Sequence, residues 1–135
     1  MYPNEIVEPM REELTSHGVL ELRKVEDVNK VFNDEKKFLL VVNSVCGCAG
    51  ASMRPAIAEL LDEGIDIPIF SVFAGVDIEA CDAARNKINN FPPSSPSIFL
   101  IKNGKAIFGF QREDIKGHNY FDVKDNLSTN LKEHL

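Results

Sequence analysis

No stretch of this sequence approaches the ~20 consecutive apolar residues that a membrane-spanning helix requires. Its most apolar segment, "KFLLVVNSV" (Lys37–Val45), has the length of a strand. The opening "MYPNEIVEPMREEL" carries Glu5, Glu8, Glu12 and Glu13 where a secretory signal needs a basic start and an apolar core. A cytoplasmic location is therefore expected. Blocks of lysine and arginine are also missing: the nearest is Lys36-Lys37, and 15 basic residues against 21 acidic ones leave a formal charge of −6. Phosphate-binding surfaces need a basic patch, so neither nucleic acid nor a membrane is the expected partner. Internal repeats, low-complexity tracts and Pro/Gly/Ser linkers are absent as well. The 135 residues, 44% hydrophobic and 27% charged, read as one domain spanning 1–135.

Cysteine is scarce, with three residues, yet Cys46 and Cys48 are separated by Gly47 alone. Structural disulfides are rare in a reducing compartment, so close spacing there points to catalysis or metal binding. Zinc sites use four ligands at regular spacing, whereas Cys81, His17, His118 and His134 are scattered. Cys–His and Ser–His–Asp arrangements are also missing. Three readings of Cys-Gly-Cys compete: a redox pair, a metal or cluster clamp completed by a partner, and two small apolar fillers.

Hydrophobic periodicity places the pair. Ile6, Met10 and Leu14 predict a first helix stopped near Gly18, and "VLELR" (Val19–Arg23) predicts a short strand. A short helix over Glu26–Asn33 follows, with Val28, Val31 and Phe32 apolar. Lys37–Val45 then reads as a strand buried on both faces. From Cys48 to Leu61 a helix kinked at Pro55 is expected, with Met53, Ile57, Leu60 and Leu61 as its apolar stripe. "IPIFSVF" (Ile67–Phe73) predicts a second buried strand. Asp77 is the expected cap of a helix reaching Asn90, with Ile78, Cys81, Ala84 and Ile88 on one face. Cys81 thus reads as core filler. "SIFLI" and "AIFGF" around Asn103-Gly104 predict a hairpin. Tyr120–Leu135 predicts a closing helix with Phe121, Val123, Leu127 and Leu131 on its buried side, starting near His118 or Asn119. Strand–helix alternation implies an α/β fold: a mixed central sheet with helices on both faces and a C-terminal antiparallel hairpin, which is the thioredoxin-like plan.

On that plan Cys46 stands where a central strand gives way to a helix. Unpaired N–H groups and the positive helix end favour thiolate over thiol there. Between Lys37 and Glu59 the only charged residue is Arg54, so no carboxylate near in sequence opposes ionisation. Gly47 and Gly50 are expected to keep bulk away from the sulfur. Cys46, at the strand's exit, is assigned as the nucleophile and Cys48 as the resolving thiol. Cysteines two apart in a turn meet the Cα separation a disulfide needs, but the ring is tight. The pair is therefore expected to be more oxidising than a Cys-X-X-Cys pair on the same fold. "FPPSSPS" (Phe91–Ser97) supplies a second element: Ser95-Pro96, a candidate cis bond before a strand, in a loop expected beside the cysteines. Gly47, Ser95 and Pro96 are the expected substrate-contacting residues, through backbone that could pair with an extended peptide or a thiol.

Taken in order, "VVNSVCGCAG", "RPA", "VFAGVD", "PPSSPS" and "LIKNGK" resemble the bacilliredoxin family, over nearly the whole chain. The resemblance implies a thioredoxin-like fold with Cys46-Gly47-Cys48 as the redox motif. It further implies an activity that removes bacillithiol, or a related low-molecular-weight thiol, from mixed disulfides on S-thiolated client proteins. No tightly bound cofactor and no metal are implied. Disulfide isomerisation is the alternative activity, and a non-enzymatic metal or cluster carrier using the same two cysteines the contrasting one. No family motif covers Cys81.

Overall fold

The computed structural model describes residues 2–134. Its elements run α1 (Asn4–Thr15), β1 (Leu20–Glu21), α2 (Val25–Asp34), β2 (Lys37–Asn43), a π-helical turn (Ala49–Met53), α3 (Arg54–Asp62), β3 (Ile69–Phe73), α4 (Ile78–Lys87), β4 (Ser97–Lys102), β5 (Lys105–Phe110), α5 (Arg112–Ile115) and α6 (Tyr120–His134). The strands form one sheet in the order β1-β3-β2-β4-β5. β3 pairs parallel with both β1 and β2, whereas β4 runs antiparallel to β2 and to β5.

β2 sits at the centre because it is apolar on both faces. Leu39 and Val41 face a core shared with Leu14 of α1, Met53, Ile57 and Leu60 around α3, Ile115 of α5, and Val123, Leu127 and Leu131 of α6. Phe38, Leu40 and Val42 point the other way, into a core with Val28 and Phe32 of α2 and Ala80, Cys81, Ala84 and Ile88 in and after α4. Period-two alternation thus divides one apolar run between two cores. Edge-to-face contacts of Phe38 with Phe32 and Phe70, at centroid distances of 5.2 and 5.5 Å, stiffen the second core. Asn103 and Gly104 turn the β4–β5 hairpin with φ of +52° and +79°, the left-handed pair that an Asn-Gly turn supplies.

Several sequence expectations are corrected. The strand predicted over Val19–Arg23 shrinks to Leu20–Glu21 at the sheet edge. The helix predicted from Cys48 to Leu61 is two elements. Arg54 N–H reaches back five residues to the Ala49 carbonyl, and Pro55, which has no N–H to give, falls in the first turn of α3. The helix expected to run to Asn90 ends at Lys87. Asp77 does not cap it with its side chain, because both carboxylate oxygens accept hydrogen bonds from Arg11, at 2.7 and 3.1 Å. Arg11 also donates to Glu21 at 2.6 Å and lies over the Phe73 ring, tying α1 to the sheet edge. The buried face of α1 is accordingly Val7, Arg11 and Leu14 rather than Ile6, Met10 and Leu14. Ile6, Ile78 and Phe121, each expected inward, are about half exposed, since each lies in the first turn of its helix, clear of the sheet. The four-residue helix α5 was not foreseen, and the end of the last predicted helix, Leu135, lies outside the described residues.

Candidate active site

The strand β2 delivers the site. It ends at Asn43, and its next residues are pinned by side chains instead of a ladder. The Asn43 Oδ1 accepts the Ser44 N–H at 2.9 Å, and the Ser44 hydroxyl accepts the Cys46 N–H at 3.1 Å. Beneath this turn lies Arg54, 3% exposed. Its Nη1 donates to Asn43 Oδ1 at 3.0 Å and to the Ser44 carbonyl at 2.8 Å, and its Nε stands 3.2 Å from the Glu13 carboxylate of α1. A buried cation needs such company to be tolerated. Gly50 makes room for it: a Cβ there would lie 2.8 Å from the Arg54 Nη2. Gly50 thus clears space for the guanidinium and not, as expected, for the sulfur.

Cys46 and Cys48 are free, half-buried thiols, and Gly47 between them is exposed with open space around it. The sulfurs lie 2.7 Å apart. A covalent S–S bond of about 2.05 Å is then within reach of small side-chain rotations. Their acidities diverge. Burial opposes ionisation of Cys46, but hydrogen bonds from the Cys48 thiol, the Ala49 N–H, the Ser44 hydroxyl and the Cys48 N–H outweigh it, so its pKa falls below the ordinary thiol value. Burial and the neighbouring Cys46 sulfur raise that of Cys48, against a smaller opposing pull from the Arg112 cation. Both sulfurs are half-buried, so exposure does not rank them. The hydrogen-bond donors rank them.

The loop before β4 arrives at the same end of the sheet. Val42 pairs with Ser97, the residue that follows Pro96, one residue before β2 ends at Asn43. The Ser95–Pro96 bond is cis. Pro96 is buried and Ser95 half-buried. Ser94 fixes the loop: its carbonyl accepts from Arg85 Nη2 at 3.2 Å and from the Ser97 hydroxyl at 3.0 Å. Cys81 sits in the core on the opposite side of β2, 2% exposed, and burial raises its pKa. His17 pairs with Asp62 at 2.8 Å, and His134 bonds its own helix. Among the described residues no group of three or more His, Cys, Asp or Glu is placed to hold a metal ion. Likewise no described helix is long and apolar enough to cross a membrane.

Comparison with known proteins gives this arrangement a lineage. The model of the family described as disulphide isomerase matches residues 2–135. A bacilliredoxin of Salinibacter ruber is 43% identical over 122 residues, 87% of this chain and 72% of the relative. One from Staphylococcus aureus is 40% identical over 131 residues, 96% of this chain and 90% of the relative. The chain belongs to the bacilliredoxin family. Mitochondrial thioredoxin 3 of Saccharomyces cerevisiae has a TM-score of 0.60 at 17% identity, with 87% of this chain and 98% of that one covered. Thioredoxin f2 of Chlamydomonas reinhardtii has a TM-score of 0.61 at 13% identity, with 87% and 96% covered. At such identities the likeness establishes the thioredoxin fold. Like other bacilliredoxins, this chain is a thiol–disulfide oxidoreductase. The supporting residues Asn43, Ser44 and Arg112 carried no sequence signal; Arg54 carried one, as the lone charge between Lys37 and Glu59.

Proposed function

We propose that the protein removes bacillithiol, or a related low-molecular-weight thiol, from mixed disulfides on S-thiolated client proteins in the cytoplasm, without a tightly bound cofactor. The observation that carries the reading is a pair of free, half-buried thiols whose sulfurs lie 2.7 Å apart just past the end of a central strand. Cys46 is the nucleophile and Cys48 the resolving thiol. The Cys46 thiolate attacks the small thiol's sulfur. A Cys46–S–S–R bond forms, the client–S–S–R bond breaks, and the client leaves as thiolate. Cys48 then loses its proton to solvent and attacks the Cys46 sulfur, closing the internal disulfide and expelling RS⁻. Two equivalents of free small thiol return the disulfide to the dithiol and leave as RSSR. Gly47, with open space around it, and the backbone of Ser95 and Pro96 are assigned as the substrate contacts.

The description of the matching family favours a second reading, rearrangement of misoxidised protein disulfides, in which Cys46 holds the client covalently while its own thiols reshuffle. Incubating the reduced protein with an S-bacillithiolated client and with a scrambled multi-disulfide protein separates the two. Release of up to one equivalent of bacillithiol per reduced protein, with the internal disulfide formed in step, supports de-thiolation. Recovery of the scrambled protein without such release would replace it with isomerisation.

A further inference from the structure

Next to α5, which packs on the π-helical turn that follows Cys48, lies a cleft of about 410 Å³ lined by Arg85, Ser94, Ser95, Gln111, Arg112 and Glu113 among others. It opens between the loop that carries the cis bond and the first turn of α5. Two guanidinium groups face one carboxylate there. Among the described residues, neither Arg85 nor Arg112 has an ion-pair partner within 4.0 Å, whereas Arg11 and Arg54 both do. The Arg85 Nη2 grips the Ser94 carbonyl at 3.2 Å while its buried Nε has no partner, and the Arg112 N–H reaches the Ser94 hydroxyl at 3.4 Å. A net positive cleft is a local exception on a chain of charge −6. Such an exception concentrates anions where the remaining surface repels them. Its volume suits a small molecule rather than a folded partner. The Arg112 charge also reaches Cys48, so cleft and sulfurs share one electrostatic neighbourhood.

We propose that the Arg85–Arg112 cleft binds the carboxylate-bearing part of the low-molecular-weight thiol whose sulfur reacts at Cys46. This rests on the small-thiol reading above and adds to it a charge requirement on the thiol. The guanidinium pair offers planar donors that match carboxylates, and Ser95 and Gln111 supply neutral partners. Bound in this way, an anionic disulfide presents its sulfur to the Cys46 thiolate. The Cys46–S–S–R bond forms as R–S–S–R breaks and RS⁻ departs. A neutral or cationic disulfide gains nothing from the cleft.

The test uses three symmetrical disulfides of similar length, namely 3,3′-dithiodipropionate (dianionic), hydroxyethyl disulfide (neutral) and cystamine (dicationic). Their rates of reaction with the reduced protein are followed by acid quench and mass spectrometry. The readout is the ratio of dianion to neutral rate, which cancels any change in the acidity of Cys46. Replacing either arginine by glutamine should lower that ratio about two- to fivefold, more at low salt than high. Arg112→Lys and Arg85→Lys should retain most of it, with thermal melts confirming that each variant folds. A ratio unchanged in both glutamine variants, or a wild-type rate order with cystamine first, would overturn the proposal. Failure of the small-thiol reading shows elsewhere, as normal charge preference here without release of bacillithiol from a client.

Discussion

Replacing Arg54 by methionine tests whether the turn ahead of Cys46 is held from below. The substitution keeps much of the side-chain volume and removes the donors to Asn43 Oδ1 and the Ser44 carbonyl. Asn43 Oδ1 retains the Ser44 N–H, so the orphaned group is the Ser44 carbonyl in a residue 7% exposed. A buried acceptor left without its partner costs about 1–3 kcal/mol. The Glu13 partner is 45% exposed, so loss of that ion pair adds at most about 1 kcal/mol. Removing Nε, which has no aligned acceptor, returns part of this. The expected net loss is about 2 kcal/mol, a fall in Tm of about 6–10 °C for a domain of this size. Far-UV circular dichroism of the reduced protein during heating and in urea measures it. Arg54→Lys should recover only a fraction, because one ammonium cannot span the same two acceptors. A Tm within about one degree of wild type for Arg54→Met would refute the reasoning.

Further expectations follow from the same structure. Cys46→Ala should abolish attack on any disulfide, whereas Cys48→Ala should keep the first step and accumulate a small-thiol adduct on Cys46, weighed by intact mass spectrometry; the reverse pattern would exchange the two roles. In Gly109→Ala the new Cβ would sit 2.5 Å from the Phe99 ring, forcing β5 or the ring to shift, so denaturant unfolding should show a loss of about 1–3 kcal/mol, and an unchanged midpoint would contradict the packing. The depressed Cys46 pKa makes the folded dithiol bind fewer protons than the unfolded chain between that pKa and about 8.5. Its contribution is fully present above the unfolded value and fades as pH falls through the folded one, so reduced-protein stability relative to Cys46→Ala should rise with pH across that window.

The parts of this structure that were legible in sequence are those set by local pattern. The two-sided burial of β2 follows from its unbroken apolar run, the hairpin from Asn103-Gly104, and the position of Cys-Gly-Cys from the change of period around it. What was hidden depends on partners far along the chain. Arg11 meets Asp77 across 66 residues and turns a supposed helix cap into an ion pair. Arg54 meets Glu13 and the end of β2, so that a glycine expected to serve the sulfur serves a guanidinium. Ile115 is fully buried although α5 has a single turn, too short for any periodicity to announce it. First-turn residues such as Ile78 and Phe121 look inward by spacing alone, yet each is about half exposed.

The account's central claim is that one sulfur is ionised in preference to the other. Thiolate absorbance at 240 nm, titrated against pH in wild type, Cys46→Ala and Cys48→Ala, measures it directly. Hydrogen bonds from Cys48, Ala49 and Ser44 require a wild-type transition below the ordinary cysteine value of about 8.5, absent in Cys46→Ala and shifted upward but still present in Cys48→Ala, where one donor is gone. A first transition at or above that value, or one that survives Cys46→Ala and vanishes with Cys48→Ala, would contradict it.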